Sequence, residues 1–156
     1  MVDYYGLPQV GEGAWPGREE ALRLTAKQKA GCVETALRED LANEMGDHYD
    51  DRRFVPFVVM HEFEGLLFSD CAAFSRGIGR PELEPSLRQV RDQFQTPEDI
   101  NDSPVTAPSK RVINLIQGYE KPLFGTLAVL EIGLARIRSE CPHFDSWIND
   151  LESLVE

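Results

Sequence analysis

Phe54-Val55-Pro56-Phe57-Val58-Val59-Met60 is a short, almost wholly apolar run between the polar turn Asp47 to Arg53 and an acidic segment. Such a run is expected for a strand buried on both faces of a parallel sheet. Pro56 removes one ladder donor and so places the strand near an edge. Upstream, Met1-Val2-Asp3-Tyr4-Tyr5 is β-branched and aromatic, and Gly6-Leu7-Pro8 ends it as a turn, which predicts another strand. Between the two, Thr25 and Gln28 form a capping box, Ala30, Val33, Leu37 and Leu41 share one helical stripe, and Gly46 closes it. That is a helix of roughly five turns. Strand, helix and strand make a right-handed β-α-β unit.

Residues 6–17 carry four Gly and two Pro, with Trp15 as the one large anchor, and read as a surface loop. A two-strand parallel sheet is too small to bury both faces and both edges, so further strands are expected, from residues upstream of Met1 or from a partner chain.

Downstream the pattern is helical. Residues 61–76 predict one or two short helices, broken by Gly77-Ile78-Gly79-Arg80-Pro81. Leu83, Leu87, Val90 and Phe94 mark an amphipathic helix that Pro85 starts. Thr96-Pro97-Glu98-Asp99 reads as a helix start leading into a loop from Asn101 to Pro108, and Ser109 as the cap of a helix over Lys110–Gln117. Residues 123–138 are apolar nearly all round, which predicts a central helix in the middle of the core. Pro142 opens a last helix whose buried stripe is Phe144, Trp147, Ile148, Leu151 and Leu154. The fold class is therefore α/β. One domain over 1–156 comprises a sheet part at 1–60, with a partial parallel sheet of about two strands, and a mainly helical part at 61–156.

The 156 residues are 42% hydrophobic and 28% charged, a globular composition. No apolar stretch is long enough to cross a bilayer and no secretory signal opens the chain, so a cytoplasmic protein is expected. Cys32, Cys71 and Cys141 are far apart and do not form C-x-x-C, which points to reduced, packed thiols. A net charge of −11 opposes sequence-independent binding to a phosphate backbone.

Ligands of open parallel sheets bind beyond the carboxyl ends of the strands. Asp3 lies near one such end, and His61-Glu62-Phe63-Glu64-Gly65-Leu66-Leu67-Phe68-Ser69-Asp70 follows the other. Carboxylates gathered at that rim suit a hard cation such as Mg²⁺, with Asp3, Glu64 and Asp70 as the candidate ligands. The alternative is a short helix with Phe63, Leu66 and Leu67 facing the core and Glu62 and Glu64 solvated. Because Gly65 occupies the fifth position, the spacing is not H-E-x-x-H, and His61 alone reads as a capping or packed histidine. Ser109-Lys110-Arg111 opens a helix and could hold a phosphate. Glu98, Asp99 and Asp102 could extend an acidic site, although such residues more often start a helix. Arg76, Arg80, Arg88 and Arg91 are interspersed with Glu82, Glu84 and Asp92 and read as a mixed solvated surface.

The order V-D-Y-Y-G-L-P, F-V-P-F-V-V-M-H-E-F-E-G-L-L-F-S-D, T-P-E-D-I-N-D-S-P-V-T-A-P-S-K-R and C-P-H-F-D-S-W resembles the bacterial domain-of-unknown-function family numbered 4276 over nearly the whole chain. Members look like distant relatives of the Toprim-type domains of overcoming-lysogenisation-defect nucleases and of RloB-like proteins associated with phage defence. By that resemblance Asp3 matches the first acid of an Asp-x-Asp-like motif, Tyr5 stands at its second acid, and Glu64 matches the acid of an F-E motif. The Glu of an E-G-x-T-E-like loop on an earlier strand has no counterpart, so an N-terminally truncated member is expected. Tyr119 and Lys121 resemble family positions near the same face, with their role open.

The resemblance implies a Mg²⁺-dependent phosphodiester hydrolase. In it Asp3 and Glu64 hold metal, Glu62 or His61 orients a water, and Ser109, Lys110 and Arg111 steady the phosphate, with nucleic acid as substrate. The rival reading is a non-catalytic module docking on an ATPase partner, which the missing Glu, Tyr5 and the acidic surface favour. A hydrolase of small phosphorylated molecules is a third reading, and a homodimer is open. No membrane partner is expected.

Overall fold

A computed structural model describes residues 1–11, 13–100 and 106–154, with backbone only at 26 and 27. The chain divides into two compact units, Met1–Met60 with the chain from Trp147 onward, and His61–Ser146.

In the first unit, β1 (Val2–Asp3) pairs in parallel with β2 (Val58–Val59), Val2 opposite Val58 and Asp3 opposite Val59. The Val2 N–H donates to the Phe57 carbonyl at 3.0 Å. Both strands are shorter than the apolar runs suggest, since Tyr4–Gly6 already turns as a 3-10 helix. On the β2 edge, the Val58 N–H donates to Glu34 Oε1 at 2.7 Å. A carboxylate from the crossover helix α1 (Ala26–Met45) thus takes the donor that another strand would have used, and the sheet has two strands among the described residues.

Helix α1 begins at the Thr25/Gln28 capping box and ends at Gly46, whose φ of 74° is the left-handed region glycine favours. Its Ala30 and Val33 pack with Tyr4, Leu7, Val58 and Met60 in the sheet-side core. The loop over 6–17 is not anchored by Trp15, which is exposed. Arg18 anchors its end instead: its Nε donates to the Leu7 carbonyl at 3.3 Å and its guanidinium lies 3.8 Å from the Tyr4 ring centroid. Trp147 stacks on Phe57 at 4.8 Å and donates from Nε1 to the Val55 carbonyl at 3.1 Å.

The second unit is helical: α2 (Glu64–Leu67), α3 (Cys71–Gly77), α4 (Glu84–Arg91), α5 (Pro108–Leu115), α6 (Lys121–Ile132), α7 (Leu134–Glu140) and the start of α8 (Pro142–Ser153). Leu67, Phe68, Phe74, Leu87, Ile100 and Ile116 are its largest fully buried apolar side chains.

Three sequence expectations change here. The apolar stretch 123–138 is not a central helix: Gly133, at φ 79°, divides it into α6 and α7, and α6 buries Gly125, Ala128 and Ile132 while Leu123, Leu127 and Leu130 are exposed. Small residues win the buried face because α3 approaches closely there; a Cβ on Gly77 would stand 2.8 Å from the Leu127 carbonyl oxygen. Ser109 is not a cap, because Pro108 occupies the first turn of α5 and Ala107 precedes it. Of the stripe expected on the last helix, Phe144 is buried but Leu154, one residue beyond the end of α8, is exposed. The expected loop from Asn101 onward lies outside the described residues as far as 105.

Candidate functional site

Glu64 stands in the first turn of α2, where the helix dipole favours an acid. It is nonetheless not solvated, as the amphipathic reading of this segment supposed: its side chain is fully buried. Neighbouring elements supply its surroundings. Lys121, the first residue of α6, brings Nζ to 2.9 Å from Glu64 Oε2. Alignment there is that of an ion pair rather than of a hydrogen bond, and Oε1 has no hydrogen-bond partner among the described residues. The Tyr119 hydroxyl is also buried without a hydrogen-bond partner among them. Burial, and after it the negative charge of Glu64, holds that phenol well above its ordinary range. Gly125 makes room on the same side, since a Cβ there would meet Phe63 Cε1 at 3.1 Å and the Tyr119 oxygen at 3.6 Å.

The other candidates are placed differently. Glu62 accepts a hydrogen bond from the Ser109 N–H at 2.9 Å, so a carboxylate of this chain already sits on the N-terminus of α5 where a phosphate was expected. Lys110 is exposed, and Arg111 turns back to donate from Nε to the Thr106 carbonyl at 2.9 Å. His61 is buried. Asp70 caps α3 by accepting from the Ala73 N–H at 2.9 Å. It lines a separate cleft of about 680 Å³ with Arg88, Arg91, Arg136 and Glu140. Arg88 and Arg91 thus share a cleft, but with acids beside them: Arg88 bonds Glu84 at 2.7 Å and Arg91 bonds Glu140 at 3.2 Å.

Glu98 belongs to the scaffold. Its oxygens accept from the N–H groups of His143 at 3.0 Å and Phe144 at 2.9 Å, at the start of α8. Asp99 completes a capping box with Thr96. Asp102 lies outside the described residues. Asp3 belongs to the other compact unit, at the carboxyl end of β1, level with Val59.

Glu64, Lys121, Tyr119 and Gly125 therefore form an arrangement that the local motifs did not spell out. A signal existed: a lysine on the first residue of a helix opposes the helix dipole and calls for an acid nearby.

The family model described as "Domain of unknown function (DUF4276)" matches residues 1–152. The chain belongs to this family. The DUF4276 match takes in Asp3, the His61–Asp70 segment, Ser109–Arg111 and the Tyr119–Lys121 pair. No curated protein and no solved structure matches the chain. No helix among the described residues is long and apolar enough to cross a membrane.

Among the described residues, no group of three or more His, Cys, Asp or Glu is placed to hold a metal ion. Mg²⁺ does not require one, since it commonly binds through one or two carboxylates, with waters and substrate phosphates completing its shell. Glu64, with Oε1 lacking a hydrogen-bond partner, fits that limited role; a full protein cage is not what these residues make.

Proposed function

We propose that this DUF4276 chain is a Toprim-like, Mg²⁺-dependent phosphodiester hydrolase domain of a bacterial defence-type system, acting on nucleic acid, with Glu64 as its central acid. The observation that carries the reading is the fully buried Glu64 carboxylate with one oxygen lacking a hydrogen-bond partner. Burying a carboxylate costs several kcal/mol unless charges and hydrogen bonds replace the lost water, and a purely structural position is better filled by an apolar residue. Mg²⁺ held by Glu64 would polarise a phosphoryl oxygen and lower the pKa of an attacking water.

The chain's own residues set the surroundings. Glu62, which accepts from the Ser109 N–H, would orient a water, with His61 as the other candidate for that role. Lys121 neutralises Glu64 until a cation takes its place, and the exposed Lys110 is the basic side chain left to steady a phosphate. Asp3 enters as a metal ligand by its match to the Asp-x-Asp-like motif. Asp70, already engaged as a helix cap, is the weakest of the three proposed ligands.

The test is cleavage of single- and double-stranded nucleic acid with Mg²⁺, by the wild type and by Glu64→Gln and Asp3→Asn. Mg²⁺-dependent cleavage lost in both variants, with circular dichroism unchanged, is the expected result. Cleavage that survives Glu64→Gln would sink the assignment.

A second reading is favoured by two contacts: Lys121 already occupies Glu64, and Glu62 already occupies the α5 terminus. On that reading the chain is a non-catalytic module that docks on an ATPase partner. A complex with a co-expressed ATPase that forms equally well with Glu64→Gln and Asp3→Asn, together with no cleavage by the wild type, is its expected signature.

A further inference from the structure

Lys121 marks the way from water to Glu64. Glu64, Gly65, Leu66 and Leu67 are all buried, so α2 as a whole turns away from solvent. The Lys121 side chain is 47% exposed and still brings Nζ to 2.9 Å from Glu64 Oε2. Its stem therefore follows an opening that ends on the carboxylate, and its ammonium fills the inner end. The Gly125 side is closed, since even a Cβ there would meet Phe63 Cε1 at 3.1 Å.

Two features make this ammonium a replaceable occupant. Lys121 is the first residue of α6, where the helix dipole disfavours a positive charge. Glu64 Oε1 is buried with no hydrogen-bond partner among the described residues, so the lysine leaves the carboxylate incompletely compensated. What can replace it follows from size and charge. An ammonium is close in size to a potassium ion and carries the same charge. A monovalent ion therefore gains nothing from Glu64 that the lysine does not already supply, and the lysine is tethered beside the site while the ion must be gathered from solution. A divalent cation doubles the attraction to the carboxylate and can engage Oε1 as well as Oε2. The released ammonium returns to water along the same opening.

We infer that Lys121 is the selectivity-setting residue of the Glu64 site: its ammonium holds the place of a cation, excludes monovalent ions and yields to divalent ones. This rests on the reading of Glu64 as a cation ligand and adds to it which cations are admitted.

The experiment takes the full chain as wild type, as Lys121→Met, and as Lys121→Met with Glu64→Gln, with Mg²⁺ and K⁺ as the probes. Lys121→Met keeps an unbranched stem and removes the charge. Mg²⁺ binding is read by titration calorimetry in tetramethylammonium chloride and in potassium chloride of equal ionic strength. The wild type is expected to bind Mg²⁺ alike in both salts. In tetramethylammonium chloride Lys121→Met is expected to bind it more tightly than the wild type by about tenfold or more. Potassium chloride is expected to erase most of that gain, and Glu64→Gln to abolish binding at the site. A second measurement needs no variant: Lys121 is one of four lysines, and its Cε resonance in the wild type is expected to move on Mg²⁺ saturation towards that of an exposed lysine. Lys121→Met that binds Mg²⁺ no more tightly than the wild type, a gain that K⁺ leaves untouched, or a Lys121 resonance that stays in place while Mg²⁺ binds overturns the inference and leaves the hydrolase reading standing. No Mg²⁺ binding by any form, or binding that Glu64→Gln leaves intact, overturns both.

Discussion

Lys121 Nζ lies 2.9 Å from Glu64 Oε2, and while the Glu64 side chain is fully buried the Lys121 side chain is 47% exposed. The pair is therefore asymmetric: the lysine reaches water, and the acid depends on the lysine. Lys121→Met is expected to lower stability by about 1–3 kcal/mol, because it strands a buried carboxylate. Lys121→Met combined with Glu64→Gln is expected to recover most of that loss. Urea unfolding of the two single variants and the double variant gives the coupling, and losses that simply add would show that the pair contributes nothing to the fold.

Glu98 gives the pH dependence a sign. Burial raises its carboxyl above the ordinary carboxylate value, while the N–H groups of His143 and Phe144 pull it back down. Between the unfolded value and this raised one, the native chain holds more protons than the unfolded chain, so this contribution to stability falls as pH rises through that window. Glu98→Gln is expected to flatten that part of the profile, leaving a difference from wild type that changes from mildly acidic to neutral pH. Glu98→Ala removes both helix-start acceptors and is expected to cost about 1–2 kcal/mol at neutral pH. Thermal unfolding across pH reads both effects.

Local chemistry was legible wherever one feature decided the outcome. Thr25 with Gln28 fixed the start of α1, Gly46 fixed its end, and the run around Val58 marked the buried strand. The fold class, a small parallel sheet with a mainly helical remainder, follows from those elements. Where two faces of a helix are both apolar, the pattern cannot say which one is inside. In α6 that choice was made by Gly77 on another helix, far away in sequence, whose missing side chain admits Ala128. The same holds for the candidate site. Glu64 stood out through the F-E motif, but its burial and its partnership with Lys121 arise from tertiary packing, as does the bond between Glu62 and the Ser109 N–H.

Gly77 is accordingly expected to resist substitution. A Cβ there would lie 2.8 Å from the Leu127 carbonyl oxygen, 3.0 Å from Glu131 Cβ and 3.1 Å from Ala128 Cα, atoms that cannot swing aside as the end of a long side chain can. Gly77→Ala is expected to destabilise the helical unit by about 1–3 kcal/mol through overpacking, although alanine is the better helix former. Gly31, exposed in α1 with open space where a Cβ would stand, is the contrast, and Gly31→Ala is expected to be neutral or stabilising. Midpoints of urea unfolding decide it: equal behaviour of the two variants would mean that α3 and α6 are not in the close contact described.

The three cysteines are expected to separate by reactivity. Burial pushes the Cys71 thiol up to about 11, against the opposing pull of Arg88 and Arg91. It pushes Cys141 up to about 12, although the Ser69 hydroxyl lies 3.3 Å from its sulfur. Cys32 is only partly buried, with its sulfur 3.8 Å from the Gly17 carbonyl oxygen. Since the thiolate is the reactive form, a rise of two or more units above an ordinary thiol lowers the reactive fraction at mildly alkaline pH by about a hundredfold or more, before access is counted. A thiol reagent added to the native chain is expected to label Cys32 first and leave Cys71 and Cys141 largely unmodified, while all three react in denaturant. Rapid labelling of Cys71 or Cys141 without denaturant would mean that the helices covering them open readily, and the burial of these two thiols would then not belong to the state that dominates in solution.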